Sequence, residues 1–104
     1  MISAIPHFDK INGILRAAQI DGKIYAFGSR AKGNAHKYSD VDLLIDGPIP
    51  LSLQKLAELE TLLDESDLPF RVDIVDARRS DPAFLAAIKA DCLPWDSFRA
   101  EQAI

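Results

Sequence analysis

The sequence predicts a single α/β domain in which helices flank a small β-sheet. Three observations carry that expectation. Three short β-prone segments, "KIYAF" at 23–27, "SDVDLLI" at 39–45 and "PFRVDIVDA" at 69–77, are separated by stretches with helical spacing of apolar residues. A chain of 104 residues holds one core and rarely divides, so residues 1–104 are expected to form one domain. Apolar residues make up 48% and charged residues 27%, the balance of a globular rather than a disordered chain.

The first helix is expected over residues 8–20, "FDKINGILRAAQI", where Ile11, Ile14, Leu15 and Ala18 fall at helical spacing and Gly13 weakens the pattern slightly. Asp21-Gly22 is a turn signal before the first strand. "GSRAKG" reads as a tight turn opening a short helix that Gly33 closes. "SDVDLLI" is the second strand, and "DGPIP" ends it because prolines do not continue a central ladder. From Leu51 to Leu63, Leu53, Leu56, Leu59 and Leu63 step along one helix face, with Glu58 and Glu60 between them. After the third strand, "SDPAFLAAIKADC" starts a helix with Ser80 or Asp81 as N-cap and Pro82 in the first turn. Phe84, Leu85 and Ile88 of that helix are expected to face the core. The closing "LPWDSFRAEQAI" carries Trp95 and Phe98 and reads as a short packed segment or a partner contact.

Composition excludes several classes of function. No apolar run approaches the length of a membrane span. The start, "MISAIPHFDK", lacks the basic and then apolar regions of a signal peptide. Cys92 is the only cysteine, which rules out an intrachain disulfide, argues against a cysteine-based zinc site and suits a reducing cytoplasm. With no catalytic context around it, Cys92 reads as a packing residue. A formal charge of −4 argues against broad nucleic-acid binding. Yet Gly22 to Ser39 contains no acid, while Lys23, Arg30, Lys32 and Lys37 all fall there. An acidic chain has therefore placed a cationic patch directly before an aspartate pair, which points to a local anionic ligand rather than a polyanion.

That pair is Asp40 and Asp42. In a strand, alternate side chains share a face, which sets the two carboxylates roughly 7 Å apart along the strand. Like charges so close repel and raise each other's pKa, and a cation between them relieves this. Oxygen-only ligands suit Mg²⁺, with phosphate and water oxygens completing the shell. Taken alone, an Asp-x-Asp pair also occurs as solvated acids at a strand end. Gly28 and Ser29, however, stand at a strand-to-helix turn, where free N–H groups favour phosphate and glycine admits close backbone approach. A phosphate site beside a metal site is what phosphoryl or nucleotidyl transfer needs.

Gly28-Ser29, ten intervening residues and Asp40-Val41-Asp42 resemble the G-S-x10-D-x-D signature of the DNA polymerase β-like nucleotidyltransferase superfamily. Across roughly residues 8 to 95 the chain is similar to its smallest members, the minimal nucleotidyltransferase (MNT) domains, with "FGSRAKG" and "SDVDLLI" carrying the likeness. The resemblance implies a small mixed β-sheet flanked by helices, ATP as substrate and two Mg²⁺ ions held by Asp40 and Asp42. It also implies a third catalytic and metal-binding carboxylate in the "V-D-I-V" context, at Asp73. Asp76 is the competitor; period-two alternation puts the two on opposite faces, so only one can look at the metals, and the resemblance favours Asp73, which leaves Asp76 as a strand-end acid or turn acceptor. Gly28 and Ser29 would grip the phosphates. Arg30 is a further nucleotide-binding candidate, although exposed cations are commonly just solvated, as Lys32 is expected to be. His36 reads as a surface histidine, Tyr25 and Tyr38 as packing or surface residues, and Arg78 and Arg79 as part of a solvated loop.

Larger superfamily members carry added domains that select the acceptor, whereas this chain stops soon after the catalytic unit. The expectation is a homo-oligomer or a partner protein that presents the acceptor. The MNT domains it resembles are commonly paired with a helical HEPN toxin, whose tyrosine receives AMP from ATP, so that the MNT protein acts as antitoxin. Two alternatives stand beside this. One is a binding module that neutralises its partner by occlusion. The other is a nucleotidyltransferase acting on a small molecule. A template-dependent polymerase is improbable on length and net charge.

Overall fold

The computed structural model describes residues 4–99; the segments 1–3 and 100–104 lie outside the described residues. The first helix, α1 (Phe8–Ala17), buries Phe8, Ile11 and Leu15 at the spacing of one helix face. It stops short of the predicted end, because Gln19 takes a left-handed conformation (φ 55°) that turns the chain toward the sheet. Strand β1 (Lys23–Phe27) and the short helix α2 (Ser29–Lys32) follow, with Gly33 capping α2 in the left-handed conformation. Then come β2 (Val41–Asp46), α3 (Leu53–Asp64) and β3 (Val72–Asp76). A single 3₁₀ turn (Ala77–Arg79) leads to α4 (Pro82–Lys89), whose N-cap is Asp81, its carboxylate accepting from the Ala83 N–H. Strand β4 (Leu93–Pro94) and a second 3₁₀ turn (Trp95–Phe98) complete the described chain.

The sheet is mixed and four-stranded, in the order β3-β2-β1-β4, with β2 and β3 parallel and the other pairs antiparallel. One face carries the core. Ala26, Val41, Leu43, Ile45 and Val72 meet Phe8, Ile11 and Leu15 of α1 and Leu59 and Leu63 of α3. Each fully buried leucine of this set contributes about 1.5–3 kcal/mol. Ser52 caps α3 by accepting from the Lys55 N–H, and Lys55 Nζ donates to the Ala18 carbonyl at 2.7 Å, tying α3 to the end of α1.

The closing segment is packed. Trp95 and Phe98 are buried in the same core; Trp95 stacks on Phe8 with ring centroids 4.3 Å apart, and its indole N–H donates to Asn12. Two apolar expectations need correction. Leu53 is exposed, because at about 100° per residue it lies roughly 90° round the helix from the Leu56–Leu59–Leu63 stripe. Phe84 is also exposed and Leu85 and Ile88 are only half-buried, because α4 lies over the other sheet face and not over the core. Arg78 and Arg79 are not merely solvated: their Nε atoms donate to the carbonyls of Gly47 and Leu51, holding the β2–α3 connection.

Truncating Phe98, which is fully buried, removes the centre of this packing. Phe98→Ala is expected to lose about 3–5 kcal/mol of stability, read as a lower midpoint in urea denaturation at unchanged slope.

Candidate active site

Strand pairing gathers the predicted residues. The parallel register of β2 and β3 sets Asp42 beside Asp73. Val41, Leu43 and Ile45 face the core, so alternation turns Asp42 to the opposite face, and the burial of Val72 does the same for Asp73. Asp40 is exposed and lies one residue before the strand, where the Val41 N–H donates to the Arg71 carbonyl at 2.9 Å. Asp76 falls on the core-side face and is buried. It accepts from the N–H groups of Leu51 (2.8 Å) and Arg78 (2.9 Å), which makes it a turn acceptor.

The antiparallel register of β1 and β2 puts Phe27 opposite Asp42, so that Gly28 lands against the same carboxylate. Gly28 has φ 75° and ψ −155°, a conformation that is essentially restricted to glycine. A Cβ there would also collide with Oδ2 of Asp42. Glycine is thus demanded by its own backbone, and any Cβ there would displace the Asp42 carboxylate. Ser29 and Arg30 occupy the first turn of α2, whose N–H groups have no intrahelical acceptor. Free donors therefore adjoin the aspartates, and in a helix of four residues these donors outweigh any dipole.

Burial pushes the Asp42 carboxyl above the usual carboxylate range, and the charges of Asp73 and then Asp40 push it further. Desolvation thus leads the repulsion that the sequence alone brings to mind, and Asp73 leads Asp40. A group of hard oxygen donors under mutual repulsion fits Mg²⁺. Among the described residues no three acidic, histidine or cysteine side chains already converge on one point. Asp73 is instead engaged by Arg71, with Nη2 3.1 Å from Oδ1, and this exposed pair is weak enough to yield.

A family profile described as "Nucleotidyltransferase domain" matches residues 8–99. The chain belongs to this nucleotidyltransferase family. It is 40% identical, over 79 residues, to the probable protein adenylyltransferase MntA of Haemophilus influenzae, covering 76% of this chain and 69% of that protein. The fold matches a chain of a crystallised toxin–antitoxin complex with AMP-PNP at a TM-score of 0.70 and 28% identity, over 85% of this chain and 71% of that one. It also matches, at a TM-score of 0.63 and 23% identity, a chain of the tri-AMPylated Shewanella oneidensis HEPN toxin in complex with MNT antitoxin, over 86% and 68% of the two chains.

Within this nucleotidyltransferase domain, Arg30 is the residue whose placement departs most from expectation. Its guanidinium donates to the carbonyls of Lys37 (3.2 Å) and Ser39 (2.9 Å) and lies over the Phe70 ring, 5.1 Å from the centroid. It binds the chain's own loop, where the sequence suggested a nucleotide contact. Lys32 pairs with Asp91 at 3.5 Å, and His36 and Tyr38 are exposed. Sequence reasoning missed Arg71 and Phe70. The signal for Arg71 was available, since an arginine two residues before Asp73 on one strand shares its face.

Two outcomes follow from this electrostatic and steric arrangement. A carboxyl whose folded pKa exceeds its unfolded value leaves the native state binding more protons than the unfolded chain. Its contribution therefore turns unfavourable as pH rises from the ordinary carboxylate value through the folded one, and stays so above it. Asp42→Asn should consequently melt higher than wild type at pH 7 without Mg²⁺, and calorimetry should show that gap closing as pH falls toward 4. Gly28→Ala should destabilise the domain by about 1–3 kcal/mol from backbone strain alone, measurable by chemical denaturation.

Proposed function

We propose that the protein is a Mg²⁺-dependent protein adenylyltransferase that moves AMP from ATP to a hydroxyl of a partner protein. The partner is a toxin of the HEPN class, the acceptor is a tyrosine, and the transfer makes this protein the antitoxin. The observation that carries the reading is the convergence of Gly28 and Asp73 on Asp42, one through the β1–β2 register and the other through the β2–β3 register. The toxin–antitoxin complex with AMP-PNP that the fold matches supports the choice of partner, and the adenylyltransferase named among its relatives supports the reaction. The absence, among the described residues, of a helix long and apolar enough to cross a membrane, together with an unpaired Cys92, is compatible with work in the cytoplasm.

The roles are those that the family resemblance implies for these residues. The N–H groups of Ser29 and Arg30 and the Ser29 hydroxyl take oxygens of the triphosphate. Asp40, Asp42 and Asp73 are the residues that would hold Mg²⁺, two ions in the family arrangement. When bound, the metal neutralises charge on the phosphate oxygens. Asp73 accepts the proton of the acceptor hydroxyl. A bond then forms between that oxygen and the α-phosphorus, the bond from the α-phosphorus to the bridging oxygen breaks, and pyrophosphate leaves.

The test is transfer from α-phosphate-labelled ATP to protein, with Mg²⁺ and a lysate of the source cells. Label should enter one discrete lysate protein and remain there through denaturing electrophoresis. Asp40→Asn/Asp42→Asn should reduce it at least about a thousandfold, the loss of several kcal/mol of charge stabilisation. Full neutralisation of the toxin by that double variant would instead establish inhibition by occlusion, and label on a small molecule alone would establish a different acceptor.

A further inference from the structure

The cationic loop before the aspartates is tied by the Arg30 side chain to the residue that precedes the Asp73 strand. Arg30 belongs to α2, directly after Gly28 and Ser29. Its Nη2 donates to the carbonyls of Lys37 and Ser39, the latter immediately before Asp40. The loop is closed on itself by the His36 N–H donating to Ser39 Oγ (2.7 Å) and the Ser39 N–H donating to the His36 carbonyl (3.1 Å). On the far side of Asp40, Val41 is pinned by its N–H to the Arg71 carbonyl. Asp40 therefore sits between two anchors, and Arg30 supplies the first.

The same guanidinium lies over the Phe70 ring. Phe70 is buried, packs in the core cluster, meets His7 edge-on at 6.1 Å, and directly precedes Arg71 and the strand of Asp73. A planar donor that also stacks suits both tasks at once, and a lysine ammonium offers neither the plane nor the fork. We infer that the Arg30 side chain is a positioning group that locks the phosphate turn, the Asp40 loop and the start of the Asp73 strand into one geometry, its guanidinium acting through Phe70 and the Ser39 carbonyl and not by touching the nucleotide. The rival is a direct phosphate contact, and Nε offers it nothing, being sealed from solvent and, among the described residues, without an acceptor. The inference rests on the nucleotidyl-transfer reading only for its consequence in metal binding.

Amide hydrogen exchange of the ligand-free protein is the primary test, on wild type, Arg30→Met, Arg30→Lys and Phe70→Leu. Losing charge-assisted bonds to two carbonyls should speed exchange of the loop amides, residues 36–41, at least about tenfold in Arg30→Met. Phe70→Leu should move the same amides in the same direction although it leaves every Arg30 hydrogen-bond donor in place, and Arg30→Lys should recover only part of the protection. With AMP-PNP present, the apparent affinity for Mg²⁺ should fall roughly tenfold in the same order. Unchanged loop exchange and Mg²⁺ affinity, with metal-free nucleotide binding weakened in Arg30→Met alone, would establish the phosphate contact and overturn the brace. The exchange measurement needs neither metal nor nucleotide. Wild-type protein that bound no Mg²⁺-nucleotide would therefore count against nucleotidyl transfer, while the loop amides would still decide the role of Arg30.

Discussion

The parallel register of β2 against β3 is the constraint on which the site depends. It pairs Val41 with Val72, Asp42 with Asp73 and Leu43 with Ile74. Side chains alternate with period two, so a slip of one residue would leave Asp42 level with an apolar residue and send one strand's core set to the wrong face. The apolar residues that close the core therefore also decide which carboxylates meet. Packing and site geometry are one requirement, met by Val41, Leu43 and Ile45 on one side of the strand and Asp42 on the other.

The two faces of the sheet meet that requirement differently. The core face is sealed by α1, α3 and the Trp95–Phe98 turn. The other face carries the carboxylates, which a close-packed helix would strand without solvent or ligand. There α4 stands off the sheet: Phe84 reaches only the edge of Phe27, with centroids 6.4 Å apart, and a groove of about 560 Å³ runs between Tyr25 and Leu44 of the sheet and Leu85 and Ala86 of the helix. The apolar helix α4 is therefore left half-exposed on this face.

Much of this was legible because local chemistry and tertiary structure agree. "KIYAF" is a strand with the predicted limits, Gly33 caps α2, and Asp76 lies on the face opposite Asp73, as alternation requires, and accepts from turn N–H groups. The departures are residues whose state is set by a distant neighbour. Leu93-Pro94 has no strand signal of its own and becomes β4 only by pairing with Tyr25 and Ala26. Phe84 lies in a helix apolar on most sides, and such a pattern does not say which face is covered. The position of Arg30 beside Gly28-Ser29 was plain in the sequence, but its direction is set by Phe70 and by loop carbonyls that follow it, and spacing carries no information on either.

Asp42 shows why a domain of this size tolerates such a site. Its ionised form is opposed in the folded state by burial and by two neighbouring charges. Without a ligand this subtracts from a stability that is small for any domain of about a hundred residues. A ligand that brings positive charge to the pair removes that opposition in addition to making its own contacts, and binding to the native state alone adds about 2.7 kcal/mol at a hundred times Kd. The interaction that destabilises the bare domain is therefore the one that couples folding to occupancy. Gly28 adds to the same crowding, because a Cβ there would meet Oδ2 of Asp42.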